Sequence, residues 1–113
     1  MNTKELLEKA AKAAGIKGNY FESEYPTESG ILDDDSFDED TCALFWQPHL
    51  DDGDSARLAD ALEINIRYLE YGLRVYVDTG RHHAEYYKDH NNSRSAARRM
   101  AVLRLAAQMG DGL

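Results

Sequence analysis

The stretch INIRYLEYGLRVYV, residues 64–77, decides how this chain folds. Ile64, Ile66 and Tyr68 alternate with Asn65, Arg67 and Leu69. After Glu70-Tyr71-Gly72, Leu73, Val75 and Val77 alternate with Arg74, Tyr76 and Asp78. Successive side chains on a strand point to opposite faces, so a period of two gathers the apolar residues on one side. Two such runs predict an antiparallel hairpin with one apolar face, its bend carried by Gly72. Thr79-Gly80 supplies a second bend, and His82 to Lys88 (HHAEYYK) reads as the third strand of a meander.

On either side the period changes. Residues 55–62 predict a short helix in which Ala56, Leu58, Ala59, Ala61 and Leu62 supply apolar surface. Beyond the meander, Asn92 or Ser93 caps a last helix with Ala96, Met100, Leu103 and Ala107 on one stripe. Ala97, Leu105 and Ala106 lie beside that stripe, and Gly110 closes the helix. At the start, Asn2 or Thr3 caps a helix over 3–14, with Glu5 in its first turn and Gly15 as the stop. Thr41 to Gln47 (TCALFWQ) is apolar and aromatic and reads as a strand ended by Pro48. The expected fold is α+β: an antiparallel meander of three to four strands packed by two to three helices, a helix-sheet sandwich.

With 113 residues, 42% apolar and 30% charged, the chain suits one domain over 1–113 with a core of its own. Within it, residues 19–40 break every pattern, punctuated by Pro26 and Gly30, and predict a loop excursion. No apolar run is long enough to cross a bilayer, the N-terminus carries no secretory apolar segment, and lone Cys42 has no internal disulfide partner. Those features suit the cytoplasm. Residues 1–63 carry a net charge of −11 and residues 64–113 one of +3, which recovers the total of −8. That balance disfavours direct binding to nucleic acid or to an anionic membrane.

PHLDDGDSARLADAL, residues 48–62, raises the question of chemistry. A calcium loop needs a glycine at its sixth position and an acid at its twelfth. Counted from Asp51 these are Ala56 and Leu62; counted from Asp33 they are Asp38 and Leu44. The motif instead suits a helix start near Ser55, capped by Asp54 or, with a one-residue shift, by Asp52. His82 and His83 are strand neighbours that point apart, which argues against their joining His90 and Cys42 around zinc, and all three histidines read as surface or edge residues. Cys42 reads as a buried, inert thiol. No glycine-rich phosphate loop, GxSxG or HExxH is present. No enzyme activity, metal or cofactor is therefore expected.

Two features point to contacts with other macromolecules. Tyr68, Tyr71, Tyr76, Tyr86 and Tyr87 put amphipathic rings on the meander, with Tyr71 and Tyr76 the candidates for a protein contact or a homodimer. Nine acids occur without one base: Glu22, Glu24, Glu28, Asp33, Asp34, Asp35, Asp38, Glu39 and Asp40. Carboxylates spaced in this way can imitate backbone phosphates and occupy a basic groove on another protein. The arginines of the last helix, Arg94, Arg98, Arg99 and Arg104, are expected to pair with the chain's own acids or stay solvated.

FWQPHLDDGDSARLADAL, a short β-meander, and then SAARRMAVLRLAAQMGD together resemble small bacteriophage and prophage proteins of the NinX kind. Trp46, Pro48, Leu50, Asp51, Asp52, Gly53, Asp54, Ala56, Leu58 and Leu62 follow the first motif. Ala97, Arg98, Arg99, Ala101, Ala106, Ala107 and Gly110 follow the last. His49, inserted before the leucine, departs from the pattern, and the acidic run has no counterpart. The resemblance implies a phage or prophage accessory protein with no established activity in the bacterial cytoplasm. Joined to the chain's acidic character, it favours a host-directed role, binding a host protein with a basic surface such as a nucleic-acid-binding defence complex. The anti-CRISPR and anti-restriction inhibitors are examples of that kind. It carries over no catalytic residue.

Overall fold

The computed structural model describes residues 2–21, 30–33 and 45–111. The fold is α+β, with three helices and two antiparallel sheets among these residues. Helix α1 (Thr3–Ala14) occupies the expected span. The Asn2 side chain accepts a 2.9 Å hydrogen bond from the Glu5 amide, satisfying one of the donors a helix start leaves over. Gly15 ends the helix at φ 73°, a left-handed conformation that costs glycine no β-carbon clash. Helix α2 spans Asp52–Ala61, and α3 spans Arg94–Gly110 behind a Ser93 cap.

The meander consists of β4 (Asn65–Tyr68), β5 (Gly72–Tyr76) and β6 (His82–Tyr86), preceded in the chain by β1 (Gly18–Phe21), β2 (Gly30–Asp33) and β3 (Phe45–Trp46). Ile66 lies opposite Val75, and Tyr68 opposite Leu73. Leu73, Val75 and Val77 are buried, so the apolar row read from residues 64–77 does face the core. It meets α3, whose Ala97, Ala101, Val102, Leu103, Leu105, Ala106 and Ala107 are buried as well. Helix α3 packs in turn on α1, and α1 on β1 and β2, so contact runs sheet, helix, helix, sheet.

The structure departs from the sequence expectations at five places. The supposed loop over 19–40 contains β2 and all of β1 but Gly18; the two pair antiparallel, with β3 completing a second sheet behind α1. Ile31 is buried there, opposite Trp46. Helix α2 starts earlier than Ser55, and its cap is Asp51 rather than Asp52 or Asp54. Gly72 does not form the bend: the Leu69 amide donates to the Gly72 carbonyl across Glu70-Tyr71, and Gly72 begins β5. A β-carbon on Gly72 would lie 2.2 Å from the Glu85 carbonyl oxygen, so what its place requires is close approach to β6. Strand β6 stops at Tyr86 rather than Lys88, and Tyr87–His90 makes a 3-10 turn. Finally, α3 runs through Gly110 to an Asp111 cap.

Candidate functional site

The three aspartates of residues 51–54 are spent on structure. Asp51 Oδ2 accepts from the Asp54 amide at 2.8 Å, closing the first turn of α2. Asp54 accepts from the Gln47 amide at 2.9 Å and pairs with Arg57 at 2.7 Å. Asp52 receives Arg99 at 2.8 Å and Arg98 at 3.4 Å, both from α3, and the Arg99 hydrogen bond does most to hold its pKa below the ordinary carboxylate value. The motif is a cap with a clamp across to α3. Among the described residues no group of His, Cys, Asp or Glu is arranged to hold a metal ion, and no helix is long and apolar enough to cross a membrane.

A second charged cluster was not foreseen. On the inner face of β6, Glu85 is only 5% exposed and lies opposite Leu73. His83 Nε2 donates to its Oε1 at 2.7 Å, and His90 Nε2 to its Oε2 at 2.8 Å. Arg104 of α3 also donates to Oε1. Burial pushes the carboxyl upward, but the hydrogen bonds from His90, His83 and Arg104 outweigh it and hold the pKa below its ordinary 4.5. His83, on the edge strand β6, and His90 are therefore part-buried partners of one carboxylate, while His82 is exposed, 3.2 Å from the Gly80 carbonyl. With three donors on its two oxygens, Glu85 suits an anchor tying β6 and the 3-10 turn to α3. The register with β5 puts Glu85 on the apolar face opposite Leu73, a placement that the alternation of residues 82–88 does not fix on its own.

The arginines of α3 are mostly consumed in the same way. Arg98 and Arg99 serve Asp52, Arg104 serves Glu85, and the Arg94 guanidinium stands 4.2 Å from the centre of the Tyr68 ring.

The outer face of the meander is different. Its strand residues are Asn65 and Arg67, Arg74 and Tyr76, then His82, Ala84 and Tyr86, all exposed and none of them acidic. The register sets them in rows: Asn65–Tyr76–His82, Arg67–Arg74–Ala84, and Gly72–Tyr86. Arg67 and Arg74 thus face each other directly across β4 and β5, an arrangement of like charges that destabilises a sheet. Neither guanidinium belongs to any ion pair of the described residues. Together with Tyr76, Val77, Gly80 and His82 they line a cavity of about 260 Å³. Further along the face, Tyr71, Tyr86, Tyr87 and Lys88 line one of about 400 Å³ that also touches Glu70. Lys88 Nζ lies 5.9 Å from the Tyr86 ring centre.

Of the residues named as contacts from sequence, Tyr71 and Tyr76 are exposed by 74% and 39%. Tyr76 belongs to the arginine-bearing face, whereas Tyr71 sits in the turn before β5 and lines the neighbouring cavity with Tyr86. Asp33 closes β2 opposite Gly18. Glu22, Glu24, Glu28, Asp34, Asp35, Asp38, Glu39 and Asp40 lie outside the described residues, as does Cys42.

No family model, curated protein or solved structure matches the chain.

Proposed function

We propose that this chain is a non-enzymatic binding protein, of the phage or prophage kind that its motifs resemble, and that the open face of the meander is its contact surface. The observation that carries the reading is the Arg67–Arg74 pair: two exposed, directly opposed guanidiniums flanked by tyrosine rings, with no acid of the described residues on either. Like charges held together without a counter-charge favour an anionic partner, which would relieve the repulsion on docking. Arginine and tyrosine are also the residues in which contact energy concentrates.

The test is capture from a bacterial lysate at low and physiological salt, with wild type beside Arg67→Ala/Arg74→Ala. Loss of the retained partner in the variant supports the reading; an unchanged set of partners overturns it. Self-association is the competing use of exposed tyrosines. Sedimentation over a range of concentrations separates the two uses.

The acidic run favours a second reading, in which residues 22–40 engage a host protein with a basic surface, as a defence inhibitor imitating nucleic acid would. Nine carboxylates without a base support it. Replacing Asp33, Asp34 and Asp35 by Asn would then release that partner, and binding indifferent to both salt and these substitutions would remove the idea.

A further inference from the structure

We infer that the anionic partner of the open sheet face is single-stranded nucleic acid, its phosphates held by Arg67 and Arg74 and its bases stacked on Tyr76 and Tyr86. This rests on the preceding reading of that face and names its ligand. The order of groups argues for it. Along the face the register gives a ring row (Tyr76 with His82), then a guanidinium row (Arg67 with Arg74), then a ring again (Tyr86). Rows on one face of a sheet are two residues apart, about 6.5–7 Å. A strand of nucleic acid presents the complementary alternation, planar base and anionic phosphate, whereas an acidic peptide offers charge without regularly placed planar groups. Exposed sheets bearing aromatic rings are a recurrent solution for unpaired bases, because every base has a face to stack.

Duplex DNA fits less well. The groove-reading alternative would be the arginines of α3, and Arg98, Arg99 and Arg104 are tied to Asp52 and Glu85. The total charge of −8 opposes any polyanion at long range, but exposed charges beyond about 10 Å are largely screened at 0.1 M salt. A bound strand meets the local face, whose strand residues include no acid: Glu85 of β6 is buried on the inner face, and Glu63, Glu70 and Asp78 lie just outside the strands.

The experiment is fluorescence anisotropy with three labelled probes: a short oligothymidylate, a duplex of the same length, and a polyaspartate peptide. The expected result is binding of the single strand above the other two, with a log–log salt slope near −1.4 for about two phosphate contacts. Tyr76→Ala or Tyr86→Ala should weaken it about five- to a hundredfold, while Tyr76→Phe should retain it. Thermal melts confirm that each exposed-site variant is folded. If polyaspartate binds as well as the oligonucleotide and the ring substitutions change nothing, the nucleic-acid inference is overturned while the anionic-partner reading stands. If no anionic probe binds and lysate capture is also unchanged by Arg67→Ala/Arg74→Ala, both are overturned.

Discussion

Gly110 of α3 lies against the backbone of Lys9 in α1: a β-carbon built on Gly110 would come within 1.8 Å of the Lys9 carbonyl oxygen. The two helices cross at that point with nothing between them. Buried alanines on both, Ala10 and Ala11 on α1 and Ala106 and Ala107 on α3, belong to the same core. Close-packed interiors have no slack to receive an added methyl where the obstacle is backbone.

Gly110→Ala should therefore destabilise the protein by about 1–3 kcal/mol, the usual cost of forcing extra volume into a filled site. A loss of this size lowers the melting temperature by roughly 4 °C per kcal/mol in a chain of this length. Thermal unfolding followed by circular dichroism measures it; an unchanged midpoint would mean the helices do not meet as described.

Asp51 and Asp52 should separate in their effects on stability. Asp51→Ala removes the cap of α2 and should cost about 1 kcal/mol. Asp52→Ala breaks its pairs with Arg98 and Arg99, but Asp52 is exposed, and such pairs contribute roughly 0.2–1 kcal/mol. Urea midpoints of the two variants give the order. Added calcium should move neither midpoint if these carboxylates serve as cap and clamp.

Glu85→Gln should be costlier than either. It keeps the shape of the side chain but strips the charge from a nearly buried acceptor of two histidines and an arginine. Roughly 1–3 kcal/mol is expected from donors left imperfectly satisfied. Because the cluster ties β6 to α3, amide hydrogen exchange in β6 should rise in the variant while that in α1 changes less.

Acid should lower the protein's stability over two pH intervals. Burial first, then the neighbouring Arg99, holds the His49 pKa below its ordinary 6.5, and the Glu85 carboxyl is held below 4.5. In both cases the unfolded chain binds a proton more readily than the folded one, so stability rises with pH across each interval. Stability from His49 is complete above about pH 6.5 and lost as pH falls through its lowered value; that from Glu85 is complete above about pH 4.5 and lost below it. Urea midpoints between pH 8 and pH 3 record both intervals, and Glu85→Gln should flatten the lower one.

Much of this architecture is visible in local patterns. Asn2 and Gly15 bracket α1, Ser93 starts α3, and alternation over 64–77 assigns Leu73, Val75 and Val77 to the core, because capping and side-chain periodicity act within a few residues. Of the second sheet only β3 was legible, inside the strand read over residues 41–47; β1 and β2 are four residues each, too short for a period to register beside so many acids. Tyr71 and Tyr76 could be named as exposed rings, but not that Tyr76 shares a face with two opposed arginines, since that depends on register between strands.

The chain's own order of residues determined the helices, the meander and which side of each is apolar, through interactions spanning one turn or one alternation. Only tertiary packing decided the rest. It set Gly110 against Lys9 and Gly72 against Glu85, where distant backbones converge. It also delivered Arg104 to Glu85, and Arg98 and Arg99 to Asp52, leaving Arg67 and Arg74 facing outward. Charge and close approach depend on distance in space, and residues far apart in the chain acquire that distance only when it folds.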